Sequence, residues 1–370
     1  MVINSIDANE EGMTAVAYLS DNYPFVDFYS SDVKPERLQE VSVSFDSTPL
    51  PDEGCSNISA SLSSVGEETF VSVAFKNSSD LPTQAQFGRV KKVDSGYEYQ
   101  YGWPMEDLED ALPITTKALL TRIGNYCFGG LNDSMLTANY WPYFEDDDKP
   151  GIEFGTASSQ AAFDMASDKS GNVVFAALNE SNDKLNVWLM DGDSLQKAQQ
   201  QTPSPTLTIT CPGEYVDPRL AVGAIPGYFC RAVGDIAEFN TWHLYRYSYN
   251  PKDISEAPAA LDSEPIGFIS NLPCENLKVC VADDKLTAVI FEYHGNGDLT
   301  TLGGVAVAPD GTVYHPYLIK EEYWSKYNRI CAAALPGSRF VVGWTDYGTG
   351  ESYLSNYPMA YGYKDEEPLP

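Results

Sequence analysis

Histidine is scarce in this chain of 370 residues, which holds only His243, His294 and His315 and no HExxH, GxSxG or Cys/His arrangement. Zincin chemistry and a sequence-marked serine or cysteine nucleophile therefore have no carrier. Basic residues are few as well, 23 against 53 acidic ones, giving a formal charge of -30. Such a field repels phosphate backbones and anionic lipid headgroups, which argues against nucleic acid and membrane surfaces as partners. No apolar run approaches the ~18 residues of a membrane span, and the opening MVINSIDANEEG lacks both the basic and the apolar part of a secretory signal. Membrane insertion is not expected, and localisation stays open. The seven cysteines are odd in number and form no CxxC pair or zinc-ligand spacing. Cys127, Cys230, Cys280 and Cys331 sit inside apolar runs and read as small buried hydrophobes.

Hydrophobic residues, by contrast, make up 43% of the chain, and 24 tyrosines lead the aromatic share. That composition suits a large core built from strands. The acidic excess is explained most simply by solubility, with cation binding or a cationic partner as the functional readings. A halophilic origin is disfavoured, because Lys outnumbers Arg and cysteine is not avoided.

Self-similarity organises the rest. Seven segments share an apolar strand, a polar tip rich in Asp, Asn, Gly and Ser, and a second aromatic-rich strand. They begin near Met13, Thr69, Asn125, Asn172, Tyr228, Leu286 and Arg339, at intervals that suit a four-stranded unit with loops. A further strand precedes most copies through a tight turn. Two of those turns nearly repeat, Ala224-Ile225-Pro226-Gly227 and Ala334-Leu335-Pro336-Gly337, and Pro-Gly fits the centre of a type II turn. Outer fourth strands are expected near Val41, Tyr97, Thr206, Pro265 and Thr312. The apolar runs FAAL, AVIF and SVAF read as inner strands covered on both faces. Helix candidates are limited to Met105 to Leu120, SLQKAQQQ from Ser194 and KEEYWSK from Lys320.

The expected architecture is all-β: a seven-bladed β-propeller of roughly four-stranded antiparallel blades in a single domain over residues 1–370. Rings of six or eight blades and paired β-sandwiches are the rivals. The seventh copy has no evident fourth strand, and Val2 to Ile6 could be either the first strand of blade one or the outer strand of blade seven. The ending DEEPLP reads like the start of a linker, so the domain could be cut from a longer surface protein. One segment, YCFGGLNDSMLTANYW from Tyr126, resembles a kelch repeat in its Gly129-Gly130 pair and following Trp141. The other six copies lack that pair, so the resemblance extends to the β-propeller superfamily and to no specific family.

Strands alternate in direction within a blade, so all seven polar tips should share one mouth of the ring. The candidate rim takes in Asp21, Asp80, Asp133, Asp183, Asp235, His294, Asp298, Trp344 and Asp346. Asp and Asn are also what tight turns need, since they tolerate left-handed backbone and bond their own chain. Convergent oxygens would alternatively suit Ca²⁺, although no cofactor is expected. Aromatics near the tips (Tyr23, Tyr140, Trp141, Trp242, Tyr293, Trp344, Tyr347) serve either blade packing or stacking on a ligand. Asp191-Gly192-Asp193-Ser194 lacks the remaining ligands of an EF-hand loop. The preferred reading is a monomeric, non-enzymatic binding module that presents an acidic, aromatic rim to a protein or glycan. The alternative is a carbohydrate-active propeller enzyme, a hydrolase or lyase, with a carboxylate pair at the same mouth.

Overall fold

The computed structural model describes residues 2–21, 23–30, 37–42, 55–65, 68–77, 84–93, 96–105, 117–120, 126–132, 134–142, 151–158, 162–211, 218–235, 241–269, 274–294, 299–314, 317–323, 327–346 and 349–358. Over these residues the chain is almost entirely strand, arranged as seven antiparallel sheets. Blade one comprises Val2–Ala8, Thr14–Ser20, Tyr23–Tyr29 and Arg37–Ser42, and blade two Cys55–Val65, Glu68–Asn77, Gln84–Val93 and Gly96–Met105. Blade three follows with Lys117–Leu120, Tyr126–Asn132, Met135–Trp141 and Ile152–Thr156, then blade four with Phe163–Ser167, Val173–Leu178, Lys184–Met190 and Leu207–Thr210. In blade five Pro218–Ile225, Tyr228–Asp235 and Thr241–Ser248 are joined by two short outer pieces, Ala259–Ala260 and Ile266–Ile269, which both pair with the third strand. Blade six holds Cys274–Val281, Thr287–His294, Leu299–Val307 and Tyr317–Tyr323, and blade seven Tyr327–Leu335, Arg339–Asp346 and Ser352–Pro358.

The first strand of each blade packs against the first strand of the next, and that of blade one meets that of blade seven. The sheets therefore form a closed ring, and the first strands are the innermost. Val2–Ala8 belongs to blade one, paired along its length with the following strand. Closure is by packing: Ile3, Ile6 and Val16 of blade one share a buried cluster with Cys331, Leu335 and Val341 of blade seven. The Ile3 amide also donates to Thr345 Oγ1 at 3.0 Å.

Cores between blades come from second strands whose residues point alternately to the two neighbours. In blade four, Val173, Phe175 and Ala177 join the cluster with blade three, while Val174, Ala176 and Leu178 join the cluster with blade five. Burial on both faces explains why these runs lack polar alternation. FAAL, AVIF and SVAF are thus second strands, one place out from the axis. The innermost strands, such as VINSIDA and CSNISASLSSV, carry Ser, Asp and Asn. Those polar groups bond between neighbouring inner strands: Asp7 Oδ2 accepts from the Leu62 amide at 2.8 Å, and Asp164 Oδ2 from the Val222 amide at 2.7 Å.

Local signals behave as their chemistry requires. Ile225 pairs with Tyr228 across Pro226-Gly227, and Gly227 takes φ +77°. The second Pro-Gly turn is one residue longer: Leu335 pairs with Arg339, and Gly337 and Ser338 are both left-handed. SLQKAQQQ does form a helix, Gly192–Ala198, capped by Asp191, whose carboxylate accepts from the Ser194 amide at 2.8 Å. That cap accounts for the Asp-Gly-Asp string without a metal. The start of KEEYWSK is strand and not helix. Lys320 to Tyr323 lie in the outer strand of blade six, where pairing with the edge of Leu299–Val307 overrides local helix preference. Lys117–Leu120, also read as helical, is the innermost strand of blade three, and residues 106–116 lie outside the described residues.

One glycine-to-aromatic contact is tight enough to test this packing. A Cβ at Gly234 would meet the Trp242 ring at 2.5 Å, and a ring cannot step aside as a flexible chain end can. Gly234→Ala is expected to cost about 1–2 kcal/mol by overpacking, seen as a lower thermal midpoint. A midpoint within error of the parent would show that Trp242 is loosely held.

Candidate functional site

The ring has two dissimilar mouths. One carries the turns between first and second strands and between third and fourth; the other carries the tips between second and third. The turn mouth is laced from blade to blade. Asn9 Nδ2 donates to Ser64 Oγ, joining blades one and two. Asp168 is fully buried and accepts from the amides of Ser170 and Asn172, from their side chains, and from Tyr249 Oη of blade five. Arg246 holds Asp262 in two hydrogen bonds and reaches the Ala308 and Pro309 carbonyls of blade six. Ser338 Oγ donates to Asp284 across blades seven and six.

Lys169 goes further. From the first turn of blade four, at φ +63°, its ammonium reaches Asp7 of blade one at 2.5 Å and the Leu62 carbonyl of blade two at 2.7 Å. Blades four and one are not ring neighbours, so this side chain bridges the turn mouth. Nothing in the sequence flagged it, because a lysine in a Lys-Ser-Gly turn reads as solvated.

At the tip mouth the described residues are more separate. Asp21 is exposed at φ +51°, next to Tyr23, which is 47% exposed. Asp183 closes its own turn: Asn179 Nδ2 donates to Asp183 Oδ1 at 2.7 Å, and Asn179 Oδ1 accepts from the amides of Asp183 and Lys184. Asp346 is buried and accepts from the Thr349 amide at 2.9 Å. Asp235 and His294 end the second strands of blades five and six at this mouth. Asp80, Asp133 and Asp298 lie outside the described residues. Trp344 is inside the core of blades six and seven, stacked on Tyr353 with centroids 5.5 Å apart. Tyr140 and Trp242 are likewise buried, whereas Tyr23 is exposed.

Among the described residues no three His, Cys, Asp or Glu side chains come together as a metal site would require. Five cysteines are described as free and buried. Burial pushes the Cys211 thiol up to about 11 and the Cys230 thiol to about 12, so neither is a ready nucleophile. Burial pushes the half-buried His243 below the usual histidine range.

Among the buried charged groups that escaped sequence reasoning, two lie in blades five and six. Glu292 of blade six is fully buried and accepts from Asn276 Nδ2 at 2.6 Å. Arg231 of blade five is fully buried in the seam against blade four. The signal for Arg231 was present, a charged residue in the middle of the apolar run YFCRAV.

No family model and no curated protein matches this chain. Solved structures do. A mutant of the lectin from Aleuria aurantia, in complex with Fucα1-6GlcNAc, is 10% identical, with 87% of this chain and 96% of that one covered at a TM-score of 0.50. The WD40 domain of coronin from Toxoplasma gondii is 10% identical over 97% of this chain and 82% of that one, at a TM-score of 0.49. No helix of the described residues is long and apolar enough to cross a membrane. Its closed ring of antiparallel sheets, and its likeness to the Aleuria aurantia lectin, show a β-propeller fold.

Proposed function

We propose that the protein is a non-enzymatic binding module whose ligand, a glycan or a protein, docks on the tip mouth. The observation that carries this reading is the asymmetry of the ring. At the turn mouth Asn9, Asp168 and Arg246 bond between blades and Lys169 bridges the ring, whereas Asp21 and Tyr23 at the tip mouth project to solvent. A rigid scaffold that leaves polar loops free at one end is the usual arrangement for recognition. The acidic tips favour a cationic or hydroxyl-rich surface over a phosphorylated one.

A glycan and peptide array probed with the labelled full chain tests this. Asp21→Asn keeps a residue that tolerates the left-handed backbone, and Asp183→Asn keeps the turn's shape. The double variant is expected to lose at least about tenfold in affinity for whatever the parent binds, since two charged contacts of roughly 1 kcal/mol each are removed. Asp310→Asn, on the opposite mouth, should bind like the parent. Binding that follows Asp310 and ignores the tips would sink the assignment, as would turnover of an arrayed polysaccharide, which belongs to an enzyme.

A further inference from the structure

Arg231 lies midway along Tyr228–Asp235, and its strand neighbours Phe229 and Val233 pack with Val174, Leu185 and Cys211 of blade four. Its guanidinium carbon sits 4.9 Å from the Tyr245 ring centre and 5.2 Å from that of Tyr247, and Nη2 donates to Tyr247 Oη at 3.0 Å. Nε and Nη1 have no hydrogen-bond partner among the described residues. Burial works against its charge. A chain with 53 acids thus leaves a wholly buried cation unpaired with any described carboxylate.

The fold does not ask for this residue. Blade seven repeats the local structure: Phe340 stacks on Tyr357 as Phe229 stacks on Tyr247, and two residues after each Phe come Val342 and Arg231. Second-strand residues that face the preceding blade are apolar elsewhere too, including Val16, Val71, Val73 and Phe175. Burying a guanidinium at such a place costs several kcal/mol unless an anion accompanies it. Cation-π contact with two tyrosines offsets part of that cost and satisfies neither free N–H.

We propose that the seam between blades four and five is a carboxylate-binding site, in which the anion accepts from Arg231 Nε. This deepens the reading above and rests on it, because the seam is approached from the tip mouth. Half-buried His243 lies on the tip side of Tyr245, with ring centres 6.4 Å apart, and Cys211 facing them is held by the Asp183 carbonyl of the blade-four tip. A ligand passes His243 and displaces the Tyr245 ring to reach the guanidinium. A single negative charge is favoured over phosphate or sulfate, since each further charge works against the field of the acidic chain. The carboxylate could be a small free acid or the acid group of a sugar.

The test is thermal unfolding of the full chain in sodium acetate and in sodium glucuronate, against sodium chloride with glucose at equal ionic strength. The expected result is a saturable rise in midpoint of about 2 °C at ten times the dissociation constant. A rise with both acids assigns the site to carboxylates at large, one with glucuronate alone to acidic sugars, and one with acetate alone to small free acids. Arg231→Met fills the apolar seam at similar length; it should fold with a midpoint in chloride at or above the parent's and show no rise with either acid. Arg231→Lys keeps the charge without the guanidinium donors and should lose at least half of the rise. If Arg231→Met fails to fold, line broadening of ¹³C-acetate by the parent chain, reversed by unlabelled glucuronate, decides instead. No rise and no broadening with the parent, or an equal rise in Arg231→Met, overturns the proposal. A carboxylate effect without array binding would overturn the tip reading alone, and array binding lost in the Asp21/Asp183 variant without a carboxylate effect would overturn this one alone.

Discussion

Arg246→Met is expected to destabilise the protein by about 3–5 kcal/mol, the range found when one partner of a buried ion pair is removed. The Arg246 side chain is 2% exposed and Asp262 20%, and the pair is bidentate, at 2.8 and 2.7 Å. The same guanidinium donates to the Ala308 carbonyl at 2.7 Å and to Pro309 at 3.1 Å. Methionine would leave the largely covered Asp262 carboxylate without its arginine, and would remove one of the two donors to the Ala308 carbonyl, the Gly311 amide being the other. Hydrogen bonding to Asp262 raises the Arg246 pKa above the ordinary arginine value, so the folded state keeps the charge at every working pH. Asp262→Asn retains an acceptor and should cost less than Arg246→Met. The double variant should cost little more than Arg246→Met, because both changes break one interaction. Calorimetric midpoints of the three variants check this; strict additivity would show that Arg246 and Asp262 are not energetically coupled.

Lys169→Met should cost about 2–3 kcal/mol, reduced from the fully buried case because water reaches both charges. The ammonium and Asp7 are 18% and 22% exposed. Unlike the Arg246 clamp, which ties ring neighbours, Lys169 ties blade four to blades one and two across the ring. Hydrogen exchange should therefore quicken at the amides of Ser61 and Leu62 in the variant, more than in the outer strands of the same blades. High salt should narrow the gap between parent and variant, as screening weakens the pair in the parent. A variant as stable as the parent at low salt would mean that the bridge contributes nothing to ring closure.

Both effects come from side chains whose partners lie far away in sequence, and this separates what could be read early from what could not. Turn chemistry was legible, because a Pro-Gly pair and an Asp cap act on residues within a few positions of themselves. Gly227 takes the positive φ that its place demands, and Asp191 caps the helix at Gly192. The repeat was legible for the same reason, since each hairpin is a local object. The polarity of the inner strands was less so. FAAL and VINSIDA differ in polarity because one is buried on both faces and the other bonds its polar groups to the next inner strand. The Lys320 stretch has helical local preference, and only an available edge on Leu299–Val307 made it a strand.

The candidate rim was legible as a face and not as a set of side chains. Alternating strand direction sends every tip to one mouth, so Asp21, Asp183 and Asp346 lie at the same end of their blades. Whether such a residue meets solvent depends on the neighbouring blade, which is why Asp346 and Trp344 are buried while Asp21 is exposed. Arg231 is the converse: its strand was recognised as apolar, and only the seam with blade four reveals a guanidinium shut between two tyrosines.

The histidine-poor, acid-rich sequence by itself determined the β-strand repeat and its turns, because those follow from residue type and short spacing. Tertiary structure alone decided that Val2–Ala8 closes the ring from inside blade one, that Lys169 bridges one mouth, and that Arg231 is buried without a described carboxylate. Those three depend on residues brought together by ring closure and blade packing, at separations no local pattern encodes.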